Sequence, residues 1–294
     1  MRALVRSDAD PTAVIHPRAK PRSAVPGESV PLDLEDSEAV KAAFSGVDRV
    51  IHLAARAGGI QFQESAAGDI FATNRRMTDN VLAAAGEHNV GRTFLTSSLV
   101  AYKPANEPLT EAHPLVGPAD EPSPYAWSKI TDEVVAHWHS DVEIVVGRLG
   151  NVYGPGAPFG TPGTTVVHAL IDRAARLSDG DDLVVWGDGK ATRSFVYVED
   201  AAKAIMIALS NGADGTAYNI DSGLAVTVSE LAETVRNQVN PTLNLVFDDS
   251  KPVGLPYRVG SIASLSSLGY SPAVGLEAGI AATVDWYQKQ VGSG

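Results

Sequence analysis

The sequence predicts an α/β fold: a parallel sheet covered by helices, followed by a smaller C-terminal lobe. Two observations carry that expectation. Up to Arg148, short β-branched runs alternate with segments of helical period, the pattern left by strands joined through crossover helices. After Gly154 the text changes to Pro- and Gly-rich loops between shorter elements. With 294 residues, 44% hydrophobic and 20% charged, the chain can bury a sizeable core.

The elements follow in order. Residues 3–5 read as a first short strand, and five prolines from Pro11 to Pro31 predict an irregular connection. In 36–44, Ala39, Val40, Ala43 and Phe44 share one helical face, and Gly46 supplies a stop. The run Arg-Val-Ile-His-Leu-Ala at 49–54 is a buried strand by its β-branched character. A helix over 69–88 sets Ile70, Asn74, Met77, Val81 and Ala84 at near-helical spacing. A strand at 93–97, a helix at 125–139 and a strand at 142–148 complete this part. Beyond it stand a helix at 165–177, strands at 183–186 and 195–198, a helix opened by Ser229 and Glu230, and a closing helix at 276–287.

Charge and composition narrow the function. The 35 acidic against 23 basic residues give a formal charge of −12, so the surface repels phosphate backbones and anionic lipid. Neither nucleic acid nor a membrane is an expected partner, although a local basic pocket can take a small phosphorylated ligand. The absence of cysteine removes disulfides, thiolate catalysis and Cys-based metal sites. His137 and His139 are two apart and diverge on a helix, so no metal is expected. No Walker loop, His-Glu-x-x-His or Gly-x-Ser-x-Gly occurs. The N-terminal segment has no apolar core of signal-peptide length, and no stretch approaches the ~20 apolar residues of a membrane span. A soluble protein of the reducing cytoplasm is the expectation.

The most informative stretch is Tyr125-Ala-Trp-Ser-Lys129. Positions i and i+4 share a helical face, so phenol and ammonium point the same way, and a nearby cation stabilises phenolate. Alone, the pair also fits a surface Tyr beside a solvated Lys. Its context is a strand ending in Ser97-Ser98 before it, then Arg148-Leu-Gly-Asn151-Val-Tyr-Gly-Pro155, Trp186-Gly-Asp-Gly and Arg193-Ser-Phe-Val-Tyr-Val-Glu-Asp200 after it. This ordered set resembles the extended short-chain dehydrogenase/reductases of the NAD-dependent epimerase/dehydratase family, which act on nucleotide sugars. The likeness runs from residue 1 to Tyr287. Within the family, Ala54-Ala55-Arg-Ala-Gly58-Gly59-Ile60 and Lys251-Pro-Val-Gly254-Leu-Pro-Tyr-Arg258 look like the GDP-L-fucose synthase and GDP-mannose 3,5-epimerase branch.

The resemblance implies a Rossmann-like, doubly wound sheet over 1–160 that binds a dinucleotide and a nucleotide-sugar lobe over 161–294, with 195–220 returning to the first domain. It implies that Ser98, Tyr125 and Lys129 form the hydride-transfer site. Tyr125 would exchange the proton of the sugar oxygen, Ser98 would polarise it, and Lys129 would hold the nicotinamide ribose. Asp33, Leu53, Ala54, Ala55, Ser97 and Leu149 would line the cofactor, with Asn74 bracing the strand ends. Gly58, Gly59 and Asn151 would meet the sugar, and Val166, Leu170 and Trp186 the base and ribose. Arg173, Arg193, Lys251 and Arg258 would hold the diphosphate, a task to which the planar guanidinium fork is suited. The first strand runs Val5-Arg6-Ser7, and an Arg there favours NADP(H) over NAD(H). A GDP-sugar substrate and a homodimer through helices 69–88 and 125–139 are further implications.

Two features depart from the family pattern. The first is the missing Gly-x-x-Gly-x-x-Gly turn that holds the cofactor pyrophosphate; residues 1–6 look like the family's second strand, and loss of the first would expose the edges of its neighbours. The second is chemical. Val100 stands where the 3,5-epimerising relatives use Cys, and Thr165 where the fucose synthases use His, with His168 the nearest imidazole. The sequence therefore favours an NAD(P)-dependent enzyme working at sugar C4, as a 4-ketoreductase or a 4-epimerase of the UDP-glucose type. A catalytically silent sugar-nucleotide-binding relative and an N-terminally truncated enzyme are the competing readings.

Overall fold

The computed structural model describes residues 2–5, 11–15, 28–57, 66–120, 123–139, 141–161, 164–251 and 254–291, with side chains from Val30 onward. Strands β1 (Arg2–Val5), β2 (Pro11–Ile15), β3 (Glu28–Pro31), β4 (Arg49–His52), β5 (Arg92–Ser98), β6 (Glu143–Leu149) and β11 (Ala217–Ile220) form one sheet. Its order is β11-β6-β5-β4-β1-β2-β3. Pairs β4–β5 and β2–β3 are parallel, with Val50 opposite Thr93 and Val14 opposite Val30.

Two expectations change here. The stretch from Pro11 to Pro31 holds strands β2 and β3, not an irregular connection alone. Of its five prolines, Pro11 stands at the first position of β2 and Pro31 at the last of β3, where proline is tolerated, while Pro17, Pro21 and Pro26 lie outside the described residues; Thr12, Val14, Ile15 and Val30 favour extended backbone. Further, β4 does not keep a bare edge. Strand β1 pairs with it antiparallel, Leu4 opposite Val50 and Val5 opposite Arg49, and so fills the place beside it. The sheet is therefore mixed around β1, because an antiparallel partner satisfies the edge N–H and C=O groups as well as a parallel one.

Between β3 and β4, helix α1 (Ser37–Ala43) starts at Asp36, whose side chain accepts from Ala39 N at 3.1 Å. Gly46 adopts φ 71°, a conformation open to glycine, on the way into β4. Helix α2 (Ala67–Glu87) is the crossover from β4 to β5 and buries Ile70, Asn74, Met77, Val81 and Ala84 as the spacing predicts. Helix α3 (Pro124–Ala136) lies against α2. Leu82, Phe44, Leu95, Val50 and Val146 belong to the core that these elements share.

The chain divides into two compact units: residues 1–103, 114–148 and 205–218 form one, and 104–113, 149–204 and 219–294 form the other. The second contains β7 (Asn151–Tyr153), α4 (Val166–Ala174), β8 (Asp182–Trp186), β9 (Thr192–Arg193) and β10 (Phe195–Tyr197). Helix α5 (Val198–Asn211) and β11 follow, then β12 (Val226–Thr227), α6 (Val228–Val239), β13 (Asn244–Asp248), β14 (Tyr257–Arg258), α7 (Ala263–Ser266) and α8 (Leu276–Val291). Helix α6 begins with a capping box, Thr227 and Glu230 satisfying each other's backbone N–H. The core of this unit sets Val167 and Ile171 of α4 with Leu183, Leu231, Val235 and Ile280.

Leu82 is fully buried in the first core. Leu82→Ala is expected to lower the unfolding free energy by about 2–5 kcal/mol, read from urea titration, the range for a methyl-lined cavity that cannot collapse.

Candidate active site

Ser123 accepts from Ala126 N at 3.2 Å and Pro124 opens the helix, which fixes the start of α3 and places Tyr125 and Lys129 one turn apart. Lys129 Nζ lies 6.0 Å from the Tyr125 ring centroid, and the side chain is 1% exposed. A surface Tyr beside a solvated Lys is thereby excluded. The buried ammonium has a counter-charge in Asp132, whose Oδ2 is 3.3 Å away and whose Oδ1 accepts from Arg75 Nη1 at 2.7 Å. Burial pushes the Asp132 carboxyl up, while Lys129 and Arg75 act against that shift.

Ser98 closes β5 in an extended conformation, φ −153°, and Val100 N lies 3.4 Å from its Oγ. The neighbouring Ser97 is turned the other way: it is fully buried and donates its hydroxyl to Glu133 of α3. Glu133 in turn holds Arg148 of β6 through Nε (3.0 Å to Oε1) and Nη2 (2.6 Å to Oε2). Arg148 Nη1 donates to the Tyr102 hydroxyl at 2.8 Å, and its guanidinium lies 4.8 Å from that ring's centroid. Burial alone would lower the Arg148 pKa; the bonds and charge of Glu133, then Tyr102, hold it above the usual value. Asn74 Oδ1 accepts from Arg56 N at 2.6 Å, and its Nδ2 donates to Arg56 O and Ser128 Oγ, both at 3.1 Å. That ties the segment after β4 to α3. Leu53 and Ala55 are half-buried and Ala54 buried on this segment, and Asp33 Oδ1 accepts from Glu35 N at 3.0 Å.

Arg6, Gly58 and Gly59 lie outside the described residues. The strand leading to Arg6 ends with Val5 beside Arg49, at the start of β4, whereas Ser98 stands at the end of the parallel neighbour β5.

In the second unit, β14 pairs parallel with β9 so that Arg258 is in register with Arg193. Burial and the neighbouring Arg193 guanidinium pull the Arg258 pKa down to about 10, and burial also lowers Arg193. A cation beside another cation on the adjacent strand is depressed in this way where no acid offsets it. Asn151 Nδ2 donates to Ser194 O at 2.8 Å. Arg173 donates to Val184 O of β8, the strand that ends in Trp186, 53% exposed. Leu170 is buried, Val166 is 37% exposed, Leu149 is half-buried at the end of β6, and Lys251 stands exposed after β13.

His168 is 1% exposed and already engaged: Nδ1 lies 2.8 Å from Thr165 Oγ1 and Nε2 3.1 Å from Gly154 O. Its pKa is lowered by burial, with the Gly154 bond opposing. The sequence reading missed Asp132, Glu133 and Arg148. A signal existed: the two acids follow Lys129 by one helical turn, and Arg148 interrupts an apolar strand, where a charge demands a partner.

Comparison with known proteins gives the family. Residues 1–221 match the NAD dependent epimerase/dehydratase family. The chain belongs to this family. GDP-L-fucose synthase 1 of Arabidopsis thaliana is 34% identical over 88% of this chain and 83% of its own. GDP-L-fucose synthase of Escherichia coli (strain K12) is 32% identical over 87% and 85%. Among solved structures, the UDP-glucose 4-epimerase of Thermus thermophilus, in complex with NAD, aligns with a TM-score of 0.78 at 26% identity, covering 94% of this chain and 90% of that one. The Rossmann-like α/β fold expected from the sequence is thus the fold of the family, and no helix among the described residues is long and apolar enough to cross a membrane.

The Glu133–Arg148 pair yields a stability test. Glu133→Leu leaves a buried guanidinium unpaired and is expected to cost about 3–5 kcal/mol, while Glu133→Leu/Arg148→Met should cost less than the two single changes summed. Urea unfolding of the cycle measures both.

Proposed function

We propose that this protein is an NAD(P)-dependent nucleotide-sugar oxidoreductase of the GDP-L-fucose synthase type, reducing a 4-keto sugar at C4. The observation that carries the reading is the buried Lys129 ammonium one turn from Tyr125 on α3, in a member of this family. A nicotinamide dinucleotide supplies the hydride in such chemistry, and the residues that would hold its nicotinamide ribose are Tyr125 and Lys129. Tyr125 delivers the proton to the C4 oxygen, Ser98 donates a hydrogen bond to the same oxygen, and Lys129 favours the phenolate left behind. Asp132 keeps the ammonium on its side of the helix.

The substrate class rests on the Arg193–Arg258 pair. In a chain of net charge −12, two in-register, half-buried guanidiniums, the Arg258 pKa lowered by burial and by Arg193, are a local demand for an anion, and a diphosphate satisfies both. Trp186, Leu170 and Val166 supply apolar surface for base and ribose, and Asn151 a polar contact for the sugar. The GDP-L-fucose synthases among the relatives support guanine as the base. The choice of NADP(H) over NAD(H) rests on the text Val5-Arg6-Ser7 alone; the antiparallel β1, which ends beside Arg49 at the end of the sheet away from Ser98, does not support it. A homodimer through α2 and α3 is supported by Trp138 and Val134, exposed at the end of α3. Work in the cytoplasm agrees with a cysteine-free chain.

Three measurements test the reading. Tyr125→Phe should lower turnover about 10²-fold or more and leave substrate KM nearly unchanged; unchanged turnover would remove Tyr125 from its role. With a GDP-4-keto-6-deoxy sugar and reduced cofactor in deuterated water, hydride should reach C4 without deuterium entering C3 or C5. Neither Val100 nor Thr165 can act as an acid or base toward C3 or C5 near neutrality, and His168 is committed to Thr165 and Gly154. Deuterium at C3 or C5 would restore the full epimerising reaction. Parallel titrations should give tighter NADPH than NADH binding, and equal or tighter NADH binding would reverse the cofactor choice.

A further inference from the structure

Asp221, at the end of β11, is fully buried, and the hydride chemistry makes no use of it. Its Oδ2 accepts from the Ser194 hydroxyl and from Gly260 N at 2.8 Å, and its Oδ1 accepts from Ser222 N at 2.7 Å. A Cβ at Gly150 would fall 2.8 Å from the carboxyl carbon and Oδ1, so the chain passes the carboxylate there only because residue 150 has no side chain.

The segments gathered around this one group carry the proposed diphosphate and sugar contacts. Gly150 precedes Asn151. Ser194 follows Arg193, its N donates to Arg258 O at 3.2 Å, and its O accepts from Asn151 Nδ2. Gly260 comes two residues after Arg258. The two guanidiniums repel each other, so strands β9 and β14 need an attachment that their own side chains do not supply. We propose that Asp221 is a positioning residue for the substrate diphosphate: its ionised carboxylate holds Arg193, Arg258 and Asn151 in register, and nucleotide-sugar affinity falls when it takes up a proton. The inference rests on the reading of Arg193 and Arg258 given above.

The donors that reach the carboxylate are neutral, and burial outweighs them, raising the Asp221 pKa to about 6. Among the described residues, the other titratable group packed here is Tyr270, whose hydroxyl donates to Asp221 O at 3.0 Å and whose pKa burial, Asp200 and Asp221 all raise, so it stays neutral. Stability and binding respond to this proton in opposite directions. A carboxyl raised from 3.8 to about 6 on folding contributes stability fully below pH 3.8 and loses it as pH rises through 6. The ionised form is therefore a cost to the fold at neutral pH, while the proposal makes it a gain for binding.

The test is calorimetric titration of GDP-mannose and UDP-glucose, whose diester diphosphates do not titrate near pH 6, at pH 7.5 and 5.5. The wild-type chain should bind at least one of them about tenfold more weakly at pH 5.5, the scale of one charge-assisted hydrogen bond. Asp221→Asn, whose amide cannot accept from both Ser222 N and Gly260 N, should bind weakly at both values with no step. In the wild-type chain the proposal expects affinity to fall from pH 7.5 to 5.5 without a fall in Tm, whereas a purely structural carboxylate would lower affinity and Tm together. Ser194→Ala, which keeps the carboxylate and removes one donor, should show a smaller loss in the same direction. Wild-type affinity and pH step retained in Asp221→Asn, or in Ser194→Ala if the former does not fold, would overturn the proposal. Arg258→Gln separates the two ideas: unchanged binding in that variant would overturn the diphosphate reading itself.

Discussion

The bonds between Glu133 and Arg148 set the geometry on which the proposed hydride site depends. A carboxylate and a guanidinium buried at this depth are stable only with their remaining bonding capacity filled, and here it is filled by two groups from the site's own framework. Ser97, adjacent to Ser98, donates to Glu133; Tyr102, four residues beyond Ser98, accepts from Arg148. The end of β5, the middle of α3 and the end of β6 are therefore bolted together by one polar cluster. Directional bonds hold a register that apolar packing alone would let slide. The same cluster explains why adjacent serines have different duties: with Ser97 committed inward, the alternation of the strand turns Ser98 the other way.

Much of this arrangement was legible in the sequence, and the physical reason differs from element to element. Helix α2 was readable because five buried positions fall on one face, and strands β4 and β5 because β-branched runs fully buried on both sides have few alternatives. Tyr125 and Lys129 were readable because a helix brings i and i+4 together whatever surrounds it. Strands β2 and β3 were not: proline is a strong local signal against regular structure, and only pairing across the sheet, a long-range fact, shows that Pro11 and Pro31 cap strands without costing a bond. The direction of β1 was hidden for the same reason. A strand's text reads alike whether its neighbour runs up or down, and four residues carry too little pattern to choose.

Charged residues were the harder half of the site. Arg193 and Arg258 are 65 positions apart and become neighbours only through the β9–β14 pairing, so their joint meaning is a property of the fold. Arg173, which the family likeness groups with them, spends a donor on Val184 O. Lys251, exposed on its loop, keeps a solvated ammonium available in the same lobe. The acidic remainder of the surface makes such a cationic focus more selective, since it discourages polyanions while leaving a small diphosphate able to reach the arginines.

Three buried carboxylates then show why burial by itself assigns no role. Glu133 meets a guanidinium through two oxygens and is compensated in full. Asp132 sits between Lys129 and Arg75, so its charge is shared by two cations, one of them the ammonium proposed for the hydride site. Among the described residues Asp221 has hydroxyl and backbone donors and no cation as hydrogen-bond partner, and it is the one carried to about 6. The first two each sit in an ion pair that is costly to break, although burial still pushes the Asp132 carboxyl up. The third keeps its anion only through neutral dipoles, against desolvation, within reach of ordinary acidity. A buried acid without a cation is easily neutralised, and its position where β9, β14 and the Gly150–Asn151 turn converge gives that neutralisation something to move.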